Sequence, residues 1–400
     1  MRRFLKFLGY FVLAVAICAG LGWWAIGPTW RVFLSNPPSD TDVLFWTQNQ
    51  RDTGFALSDQ LPMIDTVKIK AGEKIRELPV GKPLSLNLDI EAYTESQNSA
   101  SIVVLHKGKI RLEYYGLNQA ENKRWTSFSV AKSIAATLVG TAIKDGYIKS
   151  LNDKVSDYVP HLKNSAYEDV SISQLLTMTS GVKWNEDYSD TNSDVALFRQ
   201  TEAEGEESSL VTYMKKLPRA HEPGSVFNYS TGEANLIGIL VTAATGIPLA
   251  EYLSKTIWQP FGMQQDASWV TSNSGEEISG CCIQATTRDF ARFGQFILED
   301  GKTGDELLLP EGWTESATRM QVELPNDPIR DYGYFWWILN DGAFLANGIF
   351  GQGIFVDPNR DLVIATNSSW KDARGIETNQ SAERFAFFKA IQTAIDLERE

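Results

Sequence analysis

The chain has 400 residues, 43% hydrophobic and 22% charged, which is enough apolar material for a large buried core and argues against intrinsic disorder. Thirty-seven basic residues against 50 acidic ones leave a formal charge of −13, and no basic run follows the first six residues, which argues against a nucleic-acid partner. The three cysteines cannot form a disulfide framework: Cys18 lies in an apolar segment, while Cys281 and Cys282 are neighbours that would bond only with strain, and the pair reads as buried apolar filler.

Arg2, Arg3 and Lys6 precede Phe7–Trp30, a stretch with no charge that ends near the aromatic pair Trp23 and Trp24. It is long enough to span a bilayer. A cleaved signal usually has a shorter apolar core and a small-x-small site, and Ile17 stands before Cys18 where a lipid-attachment site wants a small residue. Residues 1–30 therefore read as an uncleaved anchor in the inner membrane, with a cleaved signal as the alternative. The basic flank puts the N-terminus inside and everything from Arg31 outside the cytoplasm.

Residues 31–95 mix Pro, Asp, Ser and Thr with weak periodicity and read as a linker and lead-in. "ASIVVLHKGKIRLEYYG" alternates apolar and polar residues around Lys107-Gly108, predicting a hairpin. From Ser129, apolar Ile134, Leu138, Val139, Ala142 and Ile143 recur at helical spacing until Asp145-Gly146. Residues 150–300 are mostly helical in pattern, strands return with "YGYFWWIL" and "GIFVDPNRDLVIATNSS", and "SAERFAFFKAIQTAIDLERE" closes the chain as a helix. The expected fold is α+β: an antiparallel sheet flanked by helices, with an α-rich subdomain at about 150–300 inserted into one domain, 96–400.

Ser129 and Lys132 sit three apart at the start of an apolar helix. Residues i and i+3 share a helix face, so the lysine ammonium can reach the serine hydroxyl. A first-turn serine also lies where backbone N–H groups and the helix dipole favour an oxyanion, and a desolvated lysine there can act as base. Alone, S-x-x-K reads more readily as a cap than as an active site. Another copy, Ser368 to Lys371, follows a strand with no helix behind it and reads as loop.

Two further motifs follow Ser129 in order. "PGSVFNYSTGEANLIG" places Tyr229 in a short loop before an apolar helix, and "GQGIFVDP" opens a strand at Gly351. With "LLTMTSGVKW" and "TTRDFARFGQF", this order resembles the penicillin-recognising serine hydrolases over roughly residues 96–395, and looks closest to their 6-aminohexanoate-dimer hydrolase and esterase branch. The resemblance implies that Ser129 is the acylated nucleophile, Lys132 its activating partner, and Tyr229 a second base or proton shuttle. The backbone N–H of Ile354, with that of Ser129, would hold the oxyanion. Thr231 replaces the asparagine of the usual Tyr-x-Asn motif, and Gly351 replaces the usual lysine or histidine, with Gln352 and Gly353 completing the third motif.

Other catalytic patterns are weaker. "NYSTG" imitates a nucleophile elbow around Ser230, but Asn228 stands where the first glycine belongs. The literal K-T-G at Lys302–Gly304 leaves a helix with no strand following and reads as a turn. His106, His161 and His221 show no metal-ligand spacing, and the "GKT" at 301–303 has Phe296 where a P-loop needs glycine, so neither a metal nor a nucleotide cofactor is expected.

The acidic stretch 184–209 carries Trp184 and Tyr188, and in the resembled hydrolases this region walls the cleft. Asp190 or Asp194 there would favour a neutral or amine-bearing acyl group over an anionic one. The expectation is hydrolysis of small esters, linear amides or peptide-like substrates. The alternatives are a β-lactamase or DD-peptidase, and a silent envelope protein that binds peptidoglycan.

Overall fold

The structure is a computed structural model that describes residues 2–40, 43–205, 207–324 and 330–398. Its strands are β1 (Thr66–Ile69), β2 (Ser99–His106), β3 (Lys109–Tyr115), β4 (Arg124–Thr126), β5 (Ala267–Val270), β6 (Ile283–Thr286), β7 (Lys302–Thr303), β8 (Glu306–Leu307), β9 (Arg330–Tyr332), β10 (Trp337–Leu339), β11 (Phe344–Asn347), β12 (Gly353–Asp357) and β13 (Leu362–Ser368). The helices that organise them are α1 (Arg2–Ala25), α2 (Gln48–Leu57), α3 (Val130–Lys144), α4 (Thr231–Thr245), α5 (Thr287–Leu298) and α6 (Gln380–Leu397), with shorter helical turns between.

The main sheet runs β3-β2-β13-β12-β11-β10-β9, with every neighbouring pair antiparallel. Strand alternation gives it two apolar faces. Ile102, Val104, Phe355 and Ile364 point to one side, where α6 covers them with Phe387, Phe388, Ile391 and Ile395. Val103, Val356, Val363 and Ala365 point to the other, where α5 lies against β12 and β13. Gly294 permits that approach: a side chain there would begin 2.5 Å from Val363. The fold is thus mixed α and β, an antiparallel sheet between helices. The expected hairpin turns at Lys107 and Gly108, both with φ positive.

Three expectations need correction. Residues 31–95 are not simply linker: α2 begins at Thr47, whose N–H is met by the returning Gln50 side chain at 2.8 Å, and buries Phe55 against Trp125, Phe128 and Phe350. The same stretch supplies β1 to a second antiparallel sheet, β1-β5-β6-β4. The 150–300 region is not uniformly helical, since it supplies β5 and β6 to that sheet and α5 to the main one. Strands of four residues are too short to register a period of two between helices. Lys302 and Thr303 of the K-T-G stretch themselves form β7, which turns at Gly304 and pairs with β8 as a small hairpin.

Cys281 and Cys282 are disulfide-bonded to each other and half-buried, not buried filler. Cys282 takes a left-handed φ of 78°, a conformation that pattern reading does not anticipate for a non-glycine residue. Helix α1 is long and apolar enough to cross a membrane, and it is exposed along its described length.

Candidate active site

The nucleophile candidate sits at the start of α3, a helix buried on all sides from Val130 to Ala142. Burial of Ile134, Leu138 and Val139 fixes this helix in the core, at ~1.5–3 kcal/mol for each large aliphatic side chain. Its first turn is tied to β6: Ser127 donates its N–H to the Ile283 carbonyl at 2.8 Å and accepts the Ile283 N–H on its hydroxyl at 2.9 Å. Phe128 then adopts φ 42°, a strained conformation, and its ring packs on Phe55 and Phe350 at 4.9 and 5.7 Å. Ser129 holds the cap position, yet its hydroxyl caps nothing. It accepts instead from Lys132 Nζ at 2.9 Å. The Ser129 N–H donates to no protein acceptor among the described residues.

Lys132 is 2% exposed, and among the described residues its ammonium has one other acceptor, the Gly280 carbonyl at 2.6 Å. Burial pulls it down to about 8, against the weaker opposing influence of Glu186. The same Nζ lies 5.3 Å from the centre of the Tyr229 ring. Tyr229 is stacked on Trp337 at 5.8 Å, and Tyr332 meets it edge-on at 6.5 Å. Burial and then Glu186 push its hydroxyl above the usual tyrosine range, while a hydrogen bond with Ser129 acts the other way. Lys132 is therefore the group that can be neutral near pH 8, and Tyr229 the group that stays protonated. The next residue, Ser230, is fully buried and caps α4 through Glu233 N–H at 3.1 Å, which leaves it no nucleophilic role.

The third motif faces α3 across the aromatic cluster. Phe350 and Gly351 both have positive φ, at 59° and 95°. A side chain on Gly351 would begin 2.6 Å from the Trp370 ring, so the cation usual at this position has no room. Gln352 is fully buried and braces the loop: its amide donates to Ile349 O at 2.9 Å and accepts from Trp125 Nε1 and Ser368 N at 3.2 and 2.9 Å. It is structural and does not face substrate, which corrects the sequence expectation. Gly353 opens β12 among Leu345, Thr366 and Arg384, also buried. Ile354 follows, paired with Ala346 on one side and Ala365 on the other and with its side chain toward Gly294, so its N–H is spent in the sheet and does not serve the oxyanion, which corrects the sequence expectation.

The acidic wall is built around a residue the sequence reading passed over, Glu186. Its carboxylate accepts from Trp184 Nε1, from Tyr188 O–H at 2.8 Å, from Thr231 N–H at 2.9 Å and from the Thr231 hydroxyl. Trp184 is 6% exposed and packs against Phe198 and Tyr213, so it backs the wall and does not contact substrate. Thr231 has its hydroxyl committed to Glu186. Tyr188 is half-buried, and burial, Glu186 and Tyr229 together push its hydroxyl up. Asp190 and Asp194 are spent on local structure, the first accepting from Asn192 N–H at 2.8 Å, the second from Asn185 N–H and Tyr213 O–H at 2.7 and 2.6 Å. Glu186 was one of several acids in its stretch, and its distinction is spatial: it is the carboxylate that acts on both Lys132 and Tyr229.

Behind this wall, Glu233 is 2% exposed, bonded to Ser180 and Tyr167, and burial pushes it up to about 8.

Residues 88–384 match the Beta-lactamase family, and the chain belongs to it. Members of this family are hydrolases, and this chain is a serine hydrolase of that type. Among curated relatives, it is 28% identical over 299 residues to the 6-aminohexanoate-dimer hydrolase of Paenarthrobacter ureafaciens, covering 71% of this chain and 76% of the relative. It is 23% identical over 342 residues to a β-lactamase of Yersinia enterocolitica, covering 76% and 83% of the two chains. Among solved structures, it superimposes on "Putative 6-aminohexanoate-dimer hydrolase from Bacillus anthracis" with a TM-score of 0.74 at 22% identity, over 88% of this chain and 95% of the other.

Proposed function

We propose that the chain is a membrane-anchored hydrolase that cleaves small esters or linear amides outside the cytoplasm through an acyl-enzyme on Ser129. The observation that carries this reading is the buried Lys132 ammonium, 2.9 Å from Ser129 Oγ and 5.3 Å from the Tyr229 ring centre. Neutral Lys132 takes the Ser129 proton as Oγ attacks the carbonyl carbon, and the oxyanion accepts from the Ser129 N–H at the start of α3. Tyr229 gives its proton to the departing alkoxide or amine nitrogen and is recharged from Lys132. Water then attacks the acyl-enzyme as the Lys132–Tyr229 pair takes its proton, and the pair passes that proton to Ser129 Oγ as the bond to the acyl group breaks and the acid leaves. Base and oxyanion donors each supply on the order of 10²–10³ in rate.

Two features support a neutral or amine-bearing acyl group. Trp370 occupies the space a cation at position 351 would need, and Glu186 adds negative charge beside Thr231. A linear amide such as an aminohexanoate dimer, the substrate in the name of one relative, fits this charge pattern. Arg374 favours the second reading, a β-lactam or other carboxylate-bearing substrate, because this exposed cation lies near enough to act on Tyr188 and Asp187. Side-by-side kcat/KM on p-nitrophenyl butyrate, an aminohexanoate dimer and nitrocefin decides between them; nitrocefin turning over fastest reverses the ranking. Fluorophosphonate labelling that persists in Ser129→Ala removes the nucleophile assignment. Ligand binding with no acylation supports the silent envelope protein.

The exposed apolar α1 behind its basic flank, together with a disulfide, which persists in oxidising compartments, supports the location. Alkaline phosphatase fused after residue 60 is expected to be active.

A further inference from the structure

The vicinal disulfide stands one peptide from the group that seats the catalytic lysine. Gly280, whose carbonyl accepts from Lys132 Nζ at 2.6 Å, directly precedes Cys281. On the other side, Cys282 directly precedes Ile283, the residue that pins Ser127 through two hydrogen bonds. The Cys282 N–H itself reaches the carbonyl of Phe128, next to the nucleophile, at 3.4 Å. Both ends of the closed ring therefore lead into the Ser129–Lys132 pair.

The backbone around the ring is held in place by outside partners. Gly280 N–H donates to Asn235 Oδ1 at 2.7 Å, and the Cys281 carbonyl accepts from Trp269 Nε1 at 3.0 Å. Cys282 nonetheless keeps a left-handed φ of 78°, a conformation unfavourable for a non-glycine residue. The covalent ring holds that conformation; once opened, the segment has a local reason to relax. Both cysteines are half-buried while Lys132 is buried, so the disulfide is the more open of the two to a reductant.

We infer that Cys281–Cys282 is a reversible thiol–disulfide modification site, through which an external dithiol controls how firmly Lys132 is seated against Ser129. One thiolate of the dithiol attacks a cysteine sulfur, breaking the S–S bond and forming a mixed disulfide, and the released cysteine thiolate is protonated. The second thiolate then attacks the reductant's own sulfur, closing the reductant into a disulfide and freeing the second cysteine thiol. Two electrons and two protons pass from the dithiol to the protein. Relaxation of residues 280–282 withdraws the Gly280 carbonyl, and Lys132 loses one of its two acceptors.

The inference rests on the acyl-enzyme reading of Ser129 and Lys132, and the test separates the two. Full-length protein in a Cys18→Ser background, which removes the free exposed thiol, is compared oxidised, reduced with excess dithiothreitol, and re-oxidised. Thiol titration counts the opened pair, and fluorophosphonate labelling and p-nitrophenyl butyrate hydrolysis report the site. Reduction is expected to lower the labelling rate and kcat/KM about tenfold or more, in line with a displaced base, with recovery on re-oxidation. Cys281→Ala/Cys282→Ala is expected to stay at the low level and ignore the reductant; should it fail to fold, the redox cycle of the parent protein carries the test, with circular dichroism confirming its fold. Equal labelling in both redox states, or a pair that resists dithiothreitol in the native protein, overturns the inference alone. No labelling in either state removes the acyl-enzyme reading and the inference with it.

Discussion

The S-x-x-K spacing of Ser129 and Lys132 recurs at Ser368 and Lys371, and these two copies differ in everything but that spacing. Ser129 and Lys132 lie on one helical face, with the ammonium buried and 2.9 Å from the hydroxyl. Ser368 ends β13 inside the sheet, its N–H donating to Gln352 at 2.9 Å, while Lys371 lies exposed in the following loop, its N–H bonded to Gln380. A spacing of three joins two side chains only where the backbone turns 3.6 residues per turn. Burial then makes the difference chemical, because a desolvated lysine can surrender its proton near neutral pH and a solvated one cannot.

The largest expected effect breaks the first copy and spares the second. Ser129→Ala is expected to lower kcat/KM about 10⁴-fold or more and abolish fluorophosphonate labelling, whereas Lys371→Ala changes esterase rates less than about twofold. Rates of comparable size in the two variants would dissolve the distinction between the copies.

Next is the proton path. Tyr229→Phe keeps the stacking on Trp337 and removes the shuttle, with an expected loss of about 10²-fold in kcat/KM. The parent enzyme should show kcat/KM rising with pH and levelling above about 8, as Lys132 loses its proton; at pH 7 about a tenth of the enzyme holds the neutral amine.

Glu186 sharpens the comparison further, since it is a charge the first copy has beside it. Glu186 opposes the lowering of Lys132, so Glu186→Gln is expected to move the rising limb of the pH profile to lower pH. A purely structural role would lower rates without moving that limb. The substitution should also relax discrimination against carboxylate-bearing substrates, read as the nitrocefin to p-nitrophenyl butyrate ratio.

The smallest effect concerns the third motif. Gly351→Lys restores the cation usual in the family's motif but meets Trp370 and a φ of 95°, so it is expected to destabilise the fold by about 1–3 kcal/mol, measured by thermal or urea unfolding, without gaining nitrocefin turnover.

The apolar period of α3, the short apolar runs of β2, β12 and β13, buried on both faces, and the turn at Lys107-Gly108 are local properties, and they were legible in the sequence because each is made by consecutive residues. So were Ser129, Lys132 and Tyr229 as candidates, through motif order. What lay outside that reach came from long-range assembly. The packing of α2 under the active site, the pairing of β1 with β5, the commitment of Thr231 to Glu186 across 45 positions, and the room taken by Trp370 each join residues distant in the chain. Sequence determined which groups could do chemistry; only the fold decided which of them are desolvated, which are already spent on hydrogen bonds, and hence which can react.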